Sequence, residues 1–231
     1  MIIDLHAHTW YSSCGKDQPE TLIKTMIEKG VEYFGITDHR HGIGDKKEQY
    51  CKEIKSLSEK YADKIKIFCG TEINSLPEYF IKDDDLSVFD FVLVEYLAYS
   101  DDSVLKGDLV SFAKKQATRT GIAHTDLFGF IKKMGWDAKE VLSSYADNGI
   151  FWEMNVSYDS IHHYKEHEYV LEFMKNEEQQ KIVRESKMEI SVGFDGHRLE
   201  DYAVDRVKRA CDFLKERDIK IFVPKFKAKE F

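Results

Sequence analysis

Short apolar runs alternate with polar loops and amphipathic stretches along the chain, in a repeating order of strand, loop and helix. Met1 to Leu5 reads as a first strand, followed by a helical pattern from about Pro19 to Lys29 that Gly30 closes. Val31 to Thr37 is the next strand and about Lys46 to Tyr61 the next helix. Ile65 to Thr71 and Phe89 to Leu97 follow as strands, then a helix from about Val104 to Thr120 and a short strand at Gly121 to Ala123. Ala138 to Asp147 reads as helix and Ile150 to Asn155 as strand. A long helical region over about Ser160 to Ser186 precedes a strand at Glu189 to Gly193, a helix at Asp201 to Arg217 and a last strand at Ile219 to Val223. This order predicts an α/β fold with a largely parallel sheet. Seven or eight strands in one unit favour a closed or nearly closed TIM-like barrel, a single domain over residues 1–231.

Position singles out a set of polar residues. His6 and His8, Asp38 and His39, Glu72, His124, and Asp195 with His197 each fall where a predicted strand hands over to its loop. In a parallel barrel those strand ends open on one face, where such folds gather their functional groups. Residues two apart on a strand point the same way, so His6 with His8, and Asp195 with His197, face one mouth. A lone histidine at a strand end is most often a satisfied polar residue, and one HxH pair is a weak signal. Five far-separated segments with matching placement are a strong one.

Imidazole and carboxylate together suit zinc, manganese or iron as Lewis acids. A carboxylate such as Glu72 has two oxygens and can bridge two ions, and a bound divalent ion lowers the pKa of water to about 7. The set predicts two or three divalent metal ions and a hydrolytic reaction.

Composition narrows the partners. The 231 residues carry a net charge of −8, which disfavours a broad polyanion surface and hence a long nucleic acid partner. No apolar run approaches the roughly 20 residues of a membrane span, and MIIDLHAHTW has no basic stretch or cleavage pattern. The four dispersed cysteines read as reduced thiols, which places the protein in the cytoplasm. No glycine-rich nucleotide loop precedes any helix. Oligomeric state is not legible.

The segments DLHAHTWYSSCG, FGITDHR, GTEIN, IAHTD, FWEMN and VGFDGH resemble, in order, the motifs of the PHP (polymerase and histidinol phosphatase) family, from Ile3 to His197. The resemblance implies a distorted (β/α)7 barrel and a two- or three-metal centre for phosphoester hydrolysis. By motif, His6, His8, Glu72 and Asp195 would hold one metal, Glu72 and His124 would reach a second, and His39 and His197 would belong to a third. Two positions depart from the pattern. Cys14 stands where the family usually has His or Asp, and reads either as a soft thiolate ligand or as a small buried thiol. Leu97 stands where a histidine is common; Glu95, which shares its side-chain direction, is either a replacement or a core-edge glutamate.

Arg40 and Arg198 follow metal motifs, and a guanidinium fork matches phosphate oxygens, although a surface salt bridge is the plain alternative for each. They join His197 as the candidate catalytic residues, with Lys16 and Arg119 as weaker candidates. His41 reads as an exposed loop histidine. His162, His163 and His167 do not complete an HExxH motif and read as a polar helix face. Glu153 and Asn155 read as hydrogen-bonding residues of the barrel mouth. The implied activity is hydrolysis of a small phosphomonoester, with histidinol phosphate one candidate. A nucleotide phosphodiesterase or 3′–5′ exonuclease, and a metal-binding regulatory domain without turnover, are the alternatives.

Overall fold

In the computed structural model, which describes residues 1–98, 101–158 and 165–226, seven strands form one all-parallel sheet in sequential order. They are β1 (Ile3–Asp4), β2 (Tyr33–Ile36), β3 (Lys66–Asn74), β4 (Phe91–Glu95), β5 (Arg119–Ile122), β6 (Ile150–Asn155) and β7 (Ile190–Gly193). The FVLVE and IFWEMN strands are buried at every position, as strands covered on both faces must be. The sheet closes where β7 meets β1: the Leu5 amide donates to the Val192 carbonyl at 2.8 Å and the Asp195 amide to the His6 carbonyl at 2.8 Å. The buried Asp4 carboxylate spans the same seam, accepting the amides of His6 (3.2 Å) and Phe194 (3.0 Å). Burial opposes its charge and raises its pKa to about 7.

Aromatic rings fill the barrel. Phe151 stacks on Phe222 with centroids 3.7 Å apart, and Phe91 packs against both. Strand glycines make the room: a methyl group on Gly70 would sit 2.8 Å from Phe91, and one on Gly121 would overlap Phe151. Outside the strands lie α1 (Pro19–Glu28), α2 (Arg40–Ile43), α3 (Lys47–Lys60), α4 (Leu109–Lys115), α5 (Leu127–Met134), α6 (Ala138–Asp147), α7 (Glu168–Lys175), α8 (Glu177–Ser186) and α9 (Val204–Glu216).

The structure corrects the sequence expectation in four places. The helix expected over 104–120 shrinks to α4, because Arg119 already pairs with Phe91 as the first residue of β5. The long helix expected over 160–186 is two helices. Asn176 breaks it by leaving helical geometry and capping α8, its side chain accepting the Gln179 amide at 3.1 Å. Residues 160–164 of that expectation, His162 and His163 among them, lie outside the described residues. Helix α5 is an addition: Asp126 caps it through the Gly129 amide. The last expected strand makes only an isolated bridge, Ile190 to Ile221. Among the described residues no helix is long and apolar enough to cross a membrane.

Candidate metal centre

The barrel mouth at the ends of β1, β3, β5 and β7 brings together His6, His8, Glu72, His124 and Asp195, and the start of α2 adds His39. Buried Glu72 sits at the centre, 1% exposed. Its two oxygens face different pairs of imidazoles. Oε1 lies 3.1 Å from His124 Nε2 and 3.3 Å from His6 Nε2. Oε2 lies 3.0 Å from His39 Nδ1 and 3.4 Å from His8 Nε2. On the far side, Asp195 Oδ1 is 3.0 Å from His8 Nε2 and 3.4 Å from His6 Nε2, and those two nitrogens are 3.2 Å apart. Ligand atoms about 2.0–2.1 Å from a tetrahedral ion stand roughly 3.3–3.4 Å from one another. The donor set therefore fits divalent ions on both sides of Glu72. His39 Nδ1 and Glu95 Oε1 are buried without a hydrogen-bond partner, although only 3.3 Å apart.

Local backbone aims these groups. His124 (φ 20°) and Asp195 (φ 59°) occupy positive φ, a conformation that costs a side-chain-bearing residue on the order of 1 kcal/mol or more. The His124 amide donates to Glu153 Oε2 at 2.7 Å, and Trp152 Nε1 anchors the following turn by donating to the Thr125 carbonyl at 2.9 Å. Glu153, 1% exposed on β6, also accepts from His6 Nδ1 at 2.7 Å and from Asn155 Nδ2 at 3.3 Å. With Nδ1 as donor, His6 turns the lone pair of Nε2 to the cluster. Gly193 leaves the space for this pair: a methyl group there would overlap Glu153 Oε1 and lie 2.6 Å from His6 Cβ.

The first loop is organised by Asp38, a residue the sequence marks only as the neighbour of His39. Its carboxylate accepts the amides of Thr9 (2.7 Å) and Ser12 (3.0 Å) and the Thr9 hydroxyl (2.6 Å). Ser12 Oγ in turn accepts the His39 amide at 2.8 Å. This folded loop presents Cys14 to His8, His39 and His197, the last lying 4.6 Å from His8 in a parallel ring stack.

The charges compensate. Burial opposes charge on Glu72 and Asp195, but His6 above all outweighs it, and both carboxyls are held well below the usual carboxylate range. Burial works against protonated histidine too. It is overcome at His6 by Glu153, Asp195 and Glu72, and at His39 by Glu72 and Cys14, so both rise well above their ordinary value. His8 is opposed by burial and by His39, yet bonds to Asp195 and Cys14 push it up to about 9. His124, against burial, is pushed up to about 9 by Glu72. Burial would push the Cys14 thiol up, but bonds from His197, His39 and His8 pull it down to about 3. Burial and the charge of Glu72 raise Glu95.

Other expectations fare differently. The Arg40 guanidinium is engaged by Asp84, 2.5 Å from Nε, and by the Gly44 carbonyl at 2.9 Å. Of the two readings of Arg40, these contacts favour the salt bridge over the phosphate fork. Arg119 begins β5 and bonds the Gly149 carbonyl and Glu189 at the other end of the barrel, which removes it from the site. Arg198 is half exposed, its guanidinium 4.0 Å from the Glu200 carboxylate. The Lys16 side chain reaches the Ser13 carbonyl at 3.3 Å. His41 is half-buried rather than exposed and stacks on His39 at 5.1 Å. His167, expected on a polar helix face, lies parallel to His124 with centroids 6.4 Å apart. Leu97 is buried, and Glu95 supplies the carboxylate beside Glu72 and His124.

A parallel barrel whose mouth holds histidines shared between bridging carboxylates defines a metal-dependent hydrolase. The chain belongs to the PHP domain family, whose family model matches residues 4–216, and its class is metal-dependent phosphoesterase. Among solved structures it is similar to the histidinol phosphate phosphatase (HISK) of Lactococcus lactis subsp. lactis Il1403, solved with zinc, L-histidinol and phosphate. That match has 16% identity and a TM-score of 0.62, covering 96% of each chain, a likeness of fold. A hisK protein of Listeria monocytogenes matches at 13% identity and a TM-score of 0.45, over 87% of this chain and 97% of that one. Comparison with curated proteins gave no match.

Proposed function

We propose that this chain, working as a single domain, hydrolyses a small phosphomonoester with two or three divalent ions, and the division of the Glu72 oxygens between two histidine pairs carries that reading. His6, His8 and Asp195 would hold one ion with Glu72. Glu72, Glu95 and His124 would hold a second, and Cys14, His39 and His197 a third. Ions so held would supply a water of lowered pKa and positive charge against phosphoryl oxygens. Glu153 fixes the His6 tautomer, and Asp38 fixes the loop that carries Cys14. Arg198, half exposed and next to His197 in the chain, would fork onto phosphate oxygens, where a preorganised cation acts most strongly on developing charge. His197 Nε2 has the longest contact in the cluster, 3.9 Å to Asp195 Oδ1, and would act on the leaving oxygen through the third ion.

Histidinol phosphate is one candidate substrate, since the Lactococcus lactis protein was solved with L-histidinol and phosphate. The test is metal analysis of the purified protein followed by a panel of phosphomonoesters and phosphodiesters with added zinc or manganese. Turnover of monoesters that His6→Ala and His124→Ala abolish is expected. Bound metal with no ester turned over would overturn the enzymatic reading, and preference for oligonucleotides would replace the monoesterase by a nuclease.

A further inference from the structure

Beyond the metal cluster, rings continue from His124 along the rim. Tyr96 stands edge-on to His124 at 6.5 Å, His167 lies parallel to it at 6.4 Å, and Tyr158 stacks on His167 at 4.3 Å with planes 28° apart. All four rings are partly exposed, so this is a surface that a ligand can touch. It is also a held surface. Helix α7 begins directly after His167, and Tyr169 in its first turn is pinned to the end of β6. The Tyr169 hydroxyl donates to the Glu153 carbonyl at 3.1 Å and accepts the Asn155 amide at 3.1 Å. His167 occupies the cap position of α7 yet makes no side-chain cap bond. Its ring is turned to His124 and Tyr158 instead. The Tyr158 amide donates to the Lys165 carbonyl at 2.6 Å, which helps bring the two stacked residues together.

We propose that His167 is a specificity-determining residue: with Tyr96 and Tyr158 it forms a ring-lined wall beside the metal cluster that selects phosphomonoesters whose leaving group carries a flat conjugated ring. The inference rests on the monoesterase reading above. A phosphoryl group held beside His124 would put its leaving group on the side of this wall, whose nearest rings lie 6.4 and 6.5 Å from the His124 ring. Offset or edge-on contact between rings adds attraction that a saturated group of the same size does not receive. The wall acts on binding of the leaving group, so its effect falls on KM more than on kcat.

The experiment compares benzyl phosphate with cyclohexylmethyl phosphate, esters of like size that differ in the flat ring, using the metal-loaded full chain. The ratio of their kcat/KM values is expected to favour benzyl phosphate in the wild type. His167→Ala is expected to lower that ratio about 3- to 10-fold, the range of one aromatic contact, through KM and with metal content unchanged. His167→Phe, which keeps a ring and loses the nitrogens, is expected to restore it, and Tyr158→Leu to lower it independently. A ratio unmoved by His167→Ala and Tyr158→Leu overturns the proposal. So does failure of His167→Phe to rescue a ratio that His167→Asn restores, which would assign a hydrogen bond rather than a ring. Loss of metal in His167→Ala overturns it as well, placing the residue among the ligands. If the wild type turns over neither ester nor any other monoester, the monoesterase reading itself falls. Turnover of both with an unmoved ratio sinks only the wall.

Discussion

Replacing Glu153 by glutamine alters one atom of a buried side chain and none of its shape. The carboxylate receives N–H groups on both oxygens: His6 Nδ1 on Oε1 at 2.7 Å, the His124 amide on Oε2 at 2.7 Å, and Asn155 Nδ2 on Oε2 at 3.3 Å. A glutamine has one acceptor oxygen and one NH2 group, so in either orientation its NH2 opposes a donor. If the NH2 meets the His124 backbone, a buried amide is left unsatisfied, at a cost of about 1–3 kcal/mol. If it meets His6, the imidazole must move its proton to Nε2 to accept, and the lone pair facing Asp195 and Glu72 is lost. Losing such a partner behind a metal-binding histidine costs about 10–100-fold in metal affinity, or about 1.4–2.7 kcal/mol. Zinc affinity measured by chelator competition, with thermal melting of the metal-free protein alongside, separates the two outcomes. Glu153→Gln protein with wild-type zinc affinity and wild-type melting would refute the role of Glu153 in setting the His6 tautomer.

Gly193→Ala should injure the same pair from the other side, because the added methyl group overlaps Glu153 Oε1 beside His6 Cβ; overpacking here is expected to cost about 1–3 kcal/mol of stability by denaturant titration. Cys14→Ser replaces a soft thiolate by a hard hydroxyl, so zinc should be lost from one position with manganese favoured in its place, read by metal content after equilibration with both ions. Metal uptake should strengthen as pH rises from neutrality toward 9. His8 and His124, pushed up to about 9, carry protons at neutral pH that an ion must displace, whereas Cys14, pulled down to about 3, does not. Each proton released gives about a tenfold gain per pH unit, and calorimetry in buffers of different protonation enthalpy counts them. A flat pH profile would contradict the assignment. In the metal-free protein the raised histidine pKa values act with the opposite sense. They stabilise the fold fully below the ordinary 6.5, and that contribution is lost as pH rises through about 9.

The histidines at strand ends were legible because the parallel β/α order sends every strand end to one face, so HAH, DH, IAH and DGH needed no knowledge of their partners. Glu72 was legible for the same reason. The bridging geometry was not, because which oxygen meets which imidazole depends on closure between β7 and β1. Glu153 could be placed at the mouth but not behind His6, since no spacing links β6 to β1. Arg40 stayed open between two readings because adjacency to His39 says nothing of Asp84, which arrives from the loop after β3 and engages the guanidinium. His167 was hidden by a helical reading that ran through Asn176 and obscured where α7 begins. Helix α5 escaped because LFGFIKKM spans barely two turns and carries a glycine, whereas its cap, Asp126, was a local signal that went unused.

The seam between β1 and β7 joins Asp4 to Phe194, 190 positions apart in sequence. His6 and His8 lie on one side of it and Asp195 and His197 on the other, so the halves of a binding site meet only when the longest loop in the fold has shut. Bringing such distant segments together is the slow, entropically costly step of assembly. An ion gripped across that join would act as a clasp on the closed ring, and its capture would time-stamp the end of folding. A chelator would then loosen the barrel at its first and last strands before it disturbed the phenylalanine stack within.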